Sequence, residues 1–150
     1  MMTDLILAIA HHLLAFALLG ILFAQYAIVR PGLAGAGLNR VRMFDRFYGL
    51  FAGLLIVVGV LRVIYGLKGP DFYLANPVFW AKMAAFLAVG LLSIPPTLRI
   101  LAWGRRATAD PDFVVPDAEI SRVHIWLGVE LAVFVLIPAF AATMARGIGL

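Results

Sequence analysis

The sequence predicts an all-α protein, a transmembrane four-helix bundle of up-down-up-down topology. Three observations predict it. The chain is 64% hydrophobic and only 13% charged, where an ordinary soluble domain is nearer half apolar and a quarter charged. A soluble chain of 150 residues could not bury so much apolar surface in one core, so the excess must face lipid. The apolar residues also gather into four long stretches, at about 5–29, 48–66, 77–103 and 123–144. Roughly 20 apolar residues suffice to cross a bilayer as a helix. Residues 1–150 are expected to form a single transmembrane domain, with no long repeat, low-complexity tract or soluble second domain.

The first stretch ends at Arg30-Pro31-Gly32, where proline and the glycines through Gly37 stop a helix for backbone reasons. No Lys or Arg precedes it, and it is too long for a signal peptide, so it is expected to be a retained first helix. A basic step, Asn39-Arg40-Val41-Arg42, leads through Asp45-Arg46 into the second helix, where Gly49 and Gly53 form a small-xxx-small pair. Lys68-Gly69-Pro70-Asp71 makes the next turn, beside Phe72-Tyr73, which suits an aromatic interface belt. Asn76-Pro77 reads as cap and first turn of the third helix. Pro95-Pro96 is expected to break or bend that helix, with a short helical tail through Trp103. The polar loop 105–119 follows, and the fourth helix carries Glu130 inside and Pro138 as a kink.

The charge balance is +4. In a soluble protein it would raise nucleic acid as a partner, but here the basic residues sit in short loops between apolar runs, which argues against nucleic-acid binding and for a lipid bilayer. The first connection holds Arg30, Arg40, Arg42 and Arg46, and the third holds Arg105, Arg106 and Arg122, with Arg99 just before it. Positive-inside bias places both termini outside the cytoplasm of a multi-pass protein in a bacterial inner membrane. The chain has no cysteine, which excludes disulfides, thiolate metal sites and thioether-attached haem.

The polar groups inside the spans divide into two layers. His11 and His12 lie about 10 Å below the outer edge, from a rise of ~1.5 Å per residue. Arg62 and Tyr65 at the end of helix two, and Trp80 and Lys82 early in helix three, fall at comparable depth. Ionisable groups so deep need a partner, a water cavity or a ligand. Adjacent helical residues are ~100° apart, so at most one of the two imidazoles can point straight at a shared ligand. In the inner layer Glu130 is the one acid well inside a span, with Arg99 or Arg46 as its expected partner. His124 belongs to that layer too, too far from His12 to share a metal. Plainer readings stand beside these. The histidines can bond backbone carbonyls, Arg62 and Lys82 can snorkel to headgroups, Glu130 can form a structural pair, and the aromatics can be interface anchors.

Several motifs look familiar. His11-His12-Leu13-Leu14-Ala15-Phe16, Tyr48-Gly49-Leu50, Gly59-Val60-Leu61-Arg62, Asn76-Pro77-Val78-Phe79-Trp80-Ala81-Lys82 and the run from Gly90 through Pro95-Pro96-Thr97-Leu98-Arg99 resemble a bacterial family of small four-helix integral membrane proteins with no assigned function. More distantly the layout is similar to HemJ-type protoporphyrinogen oxidases and the membrane domain of CopD-type copper proteins. That resemblance implies bound haem b, with His11 or His12 as axial metal ligand and Arg62 and Lys82 pairing with propionates. It also implies a membrane oxidoreductase, although two adjacent histidines depart from the pattern and no second axial ligand aligns.

Three functions remain open. The first is haem or porphyrin binding near the outer face at His11, His12, Arg62, Tyr65, Trp80 and Lys82, with a redox role. The second is a structural subunit of a homo-oligomer or larger membrane complex. The third is transport of a metal or small anion.

Overall fold

A computed structural model of the chain describes residues 2–67 and 69–147. Lys68, which the sequence reading places in an outer turn, lies outside the described residues, as do Met1 and residues 148–150. Four helices or helix pairs are long and apolar enough to cross a membrane. They are α1 (Met2–Ile28), α2 (Gly35–Tyr65), α4 (Pro77–Ala109), and α5 with α6 (Asp117–Phe134 and Leu136–Ala145); a six-residue α3 (Gly69–Leu74) precedes α4. Helix α1 packs on α2 and α5, and α4 packs on α2, α5 and α6, so the long helices form a closed ring in which sequence neighbours touch. That is the up-down-up-down bundle.

The spans agree with the hydropathy pattern, but the helix ends do not. Helix α2 starts at Gly35, not near residue 48. The basic step that resembles a loop is helical, with Leu38, Val41 and Tyr48 buried along one face. Hydropathy marks where lipid ends. A helix satisfies its own backbone and continues through the interface, and this one is 31 residues, or about 46 Å, long. The turn before it uses Gly32 at φ +81°, a left-handed conformation open to glycine.

Pro95 and Pro96 do not break α4, which runs unbroken across them. Each lacks the N–H that would bond the preceding turn. Neighbouring helices hold the segment in place: Pro96, Ile100 and Trp103 are all buried, and Ser93 Oγ donates to the Gly90 carbonyl at 2.7 Å. Membrane helices tolerate proline under such packing. Asn76 caps α4 by accepting from the Val78 N–H at 2.8 Å. In the last span the interruption falls at Val135. It lies one turn before Pro138, whose ring opposes the Phe134 carbonyl.

Two connections meet at one end of the bundle, here called the loop end. Val115 N–H donates to the Leu33 carbonyl at 3.0 Å, and Ala34 bridges Val114. Trp103, fully buried, donates its indole N–H to Glu119 at 2.7 Å, and Arg106 pairs with the same carboxylate at 2.8 Å. The opposite, terminal end carries the start of α1, the end of α6 and α3. Burial thins out towards it: α1 has no buried residue before Leu18, and α6 has none at all.

Candidate functional site

The antiparallel register of α1 and α2 decides which polar groups meet at the terminal end. Asp4 accepts from the Leu67 N–H at 3.3 Å, and the His11 ring lies 3.4 Å from where a Cβ on Gly59 would sit. The His11 imidazole thus lies against α2 at Gly59, inside the bundle. Arg62 follows one turn further along α2, and Lys82 comes from α4. Arg62, Lys82 and His12 all lie within electrostatic reach of the His11 ring, and Arg62 within reach of Lys82. His11 Nδ1 and Arg62 Nε are buried and have no hydrogen-bond partner among the described residues.

The remaining candidates turn away. His12 is exposed, and its Nδ1–H donates to the Ala8 carbonyl of its own helix at 2.7 Å. The two imidazoles stand edge to face, 6.3 Å apart at 82°, as their ~100° separation around the helix requires. Tyr65 is 64% exposed. Trp80 is 54% exposed and donates its indole N–H to the Leu74 carbonyl at 3.0 Å, in an aromatic chain with Phe79, Tyr73 and Phe72. Both suit interface anchoring. Lys82 Nζ sits 5.3 Å from the Phe79 ring centroid, an arrangement that favours a cation. Of the six residues singled out, the structure brings together His11, Arg62 and Lys82. No group of three or more His, Cys, Asp or Glu that could hold a metal occurs among the described residues.

A second polar group lies nearer the loop end, and its composition differs from expectation. Glu130 does not pair with Arg99 or Arg46, both of which are exposed. Its Oε1 accepts from the Tyr48 hydroxyl at 2.6 Å, across the axis of the bundle. Beside it, Asp45 accepts from Thr97 at 2.7 Å and from Gln25 at 3.5 Å. The arginines miss Glu130 because α2 and α4 carry them on their outer faces. Asp45 and Tyr48 were expected to open the second helix rather than to meet Glu130, because the charged stretch before them hides the inward face of α2. Leu38, Val41, Asp45, Tyr48, Ala52 and Leu55 in fact follow the alternating three- and four-residue spacing of an inward helix face, and that signal could have found them. His124 is structural: it stacks on Tyr26 at 4.0 Å and donates to the Val29 carbonyl at 3.1 Å. From Tyr48 to Gly59 the rise along α2 is about 16 Å, so the two polar groups are distinct sites.

Four membrane-length apolar helices around a sparse polar interior define an integral membrane protein. A family model described as "Predicted membrane protein (DUF2214)" matches residues 3–149, and the chain belongs to that family. No curated protein and no solved structure matches.

Proposed function

We propose that the protein binds an anionic tetrapyrrole, haem b or a related porphyrin, near the terminal end. The observation that carries this reading is the pair of buried, unpartnered nitrogens, His11 Nδ1 and Arg62 Nε, with the Lys82 ammonium in reach. Leaving such groups unpaired away from water costs about 1–3 kcal/mol each, more when charged. A bound anion offsets that cost. One imidazole beside two cations suits a metal ligand and two carboxylates in a single molecule, and a guanidinium holds a carboxylate in bidentate fashion. In this reading His11 is the protein's ligand to the iron, and Arg62 and Lys82 hold the propionates. His12, Tyr65 and Trp80 stay outside. Bound haem would supply one-electron chemistry there. The likeness of the first-helix histidine and the Trp80-x-Lys82 pattern to HemJ-type and CopD-type proteins supports the same reading.

The membrane is the bacterial inner membrane, with the terminal end outside the cytoplasm, because Arg40, Arg42, Arg46, Arg105 and Arg106 all gather at the loop end. The visible spectrum of gently purified protein tests the ligand. A Soret band that is lost in His11→Ala and kept in His12→Ala is expected. Colourless protein that takes up no added haem rules the reading out.

A second reading, a subunit of an oligomer or larger complex, draws on the exposed faces. Gly49 and Gly53 have open space beyond their backbone, and small residues so spaced admit a close helix. Chemical crosslinking in native membranes tests it; a chain that remains monomeric and without partners counts against it.

A further inference from the structure

We propose that Glu130, together with Tyr48 and Asp45, binds a small monovalent cation of the Na⁺ class on the axis of the bundle. Glu130 is 1% exposed, and its Oε2 has no hydrogen-bond partner among the described residues. Its other oxygen receives the Tyr48 hydroxyl at 2.6 Å. An ionised carboxylate at this depth needs a positive partner, and none pairs with it among the described residues. The one ion pair among the described residues is Arg106–Glu119, at the loop end.

The Tyr48 hydroxyl meets Oε1 and leaves Oε2 open. A cation at Oε2 would complete the coordination of an ionised Glu130. Asp45 lies within electrostatic reach of Glu130 and shares the inward face of α2 with Tyr48, three residues on. Asp45 is hydrogen-bonded by the neutral donors Thr97 and Gln25, whereas Glu130 Oε2 has no donor among the described residues. The available donors are all oxygens: two carboxylates and a phenol. Such a set selects hard cations over transition metals. Two carboxylates, rather than three or more acidic or imidazole ligands, suit a weakly held alkali ion.

Access is built in. A cavity of about 300 Å³ lies between α2 and α4 beside the site; its wall is mostly apolar, with Leu18, Phe86, Ile94 and Phe134, and carries Asp45, Tyr48, Ser93 and Thr97 as its polar part. At roughly 30 Å³ per water it has room for an ion with part of its hydration shell. Gly49 and Gly90, also in its wall, keep that space clear of side chains. Tyr48 belongs both to this wall and to the Glu130 hydrogen bond, and so links the cavity to the carboxylate.

The test is thermal unfolding of the full chain in detergent, with NaCl replacing choline chloride at constant ionic strength. A ligand that binds only the folded state raises Tm by mass action, and a saturable rise of roughly 3–8 °C is expected for a chain of this size. KCl should act more weakly. Glu130→Gln should abolish the rise, Tyr48→Phe should reduce it, and Asp112→Asn, in the exposed loop, should leave it intact. If Glu130→Gln does not fold, Tyr48→Phe and Thr97→Val decide the matter. A wild-type Tm indifferent to Na⁺, a rise unchanged in the site variants, or a rise given by divalent ions alone overturns the proposal.

Discussion

The two ends of the bundle use polar residues in opposite ways. At the loop end, polar side chains inside the fold find partners on other helices. Trp103 and Arg106 share Glu119, Thr97 and Gln25 share Asp45, and His124 joins the Val29 carbonyl while stacking on Tyr26. At the terminal end, His11 and Arg62 carry buried nitrogens with no hydrogen-bond partner among the described residues, while His12 and Trp80 turn outward to carbonyls. The difference follows from connectivity. Short connections clasp the helices at the loop end, and the Leu33–Val115 contact ties the two connections together. There, most buried polar groups pair with one another, and Glu130 Oε2 is the exception. At the terminal end burial is sparser, and His11 Nδ1 and Arg62 Nε have no partner among the described residues. One end is clasped by its connections and the other is held more loosely.

Substitutions can break this contrast. The largest effect is expected at Trp103, fully buried at the loop end. Trp103→Ala should cost about 3–5 kcal/mol, read as a lowered unfolding midpoint in detergent; a loss under 1 kcal/mol would mean the loop end is not the stability centre. Next comes Tyr48→Phe, which strips Glu130 of its only protein hydrogen bond. It should cost about 1–3 kcal/mol in Na⁺-free buffer, measured by the same unfolding assay.

Glu119→Gln keeps an acceptor for the Trp103 indole but removes the charge that pairs with Arg106. Because that pair is partly exposed, the loss should stay within about 1 kcal/mol, and it should shrink further as salt is raised. The smallest stability effect, paired with the largest functional one, is expected at the terminal end. His11→Leu removes a polar group that has no partner, so the ligand-free protein should unfold at an unchanged or higher midpoint, yet bind no haem. A strongly destabilised His11→Leu apoprotein would place His11 with the structural residues and erase the contrast.

The interior layers were partly legible before the fold was known. Depth along a helix is simple arithmetic from residue number, so placing His11, Arg62 and Lys82 at one level needed only the rise per residue. The same arithmetic set His124 and Glu130 apart from them. Partners were not legible. Glu130 was expected to meet Arg99 or Arg46 because charge complementarity is visible in a sequence, whereas the rotation of each helix about its axis is not. That rotation turns both arginines outward and brings in Tyr48, a neutral residue on the far side of the bundle. Asp45 was expected to open the second helix in the inner layer; the helix in fact starts earlier, at Gly35, because hydropathy marks only the part of a helix that faces lipid.

By itself, then, the sequence determined the class, the number of spans and the end at which each polar group lies. Hydropathy, chain length and helical rise are local quantities, and lipid rewards them residue by residue. It also established that only one of His11 and His12 could face inward. Which one does was decided by tertiary structure, because the rotation of α1 about its axis sets the His11 ring against α2 and leaves His12 to its own helix. The continuity of α4 through Pro95-Pro96 was decided there as well. Backbone cost at a proline is local, but the packing that outweighs it comes from neighbouring helices.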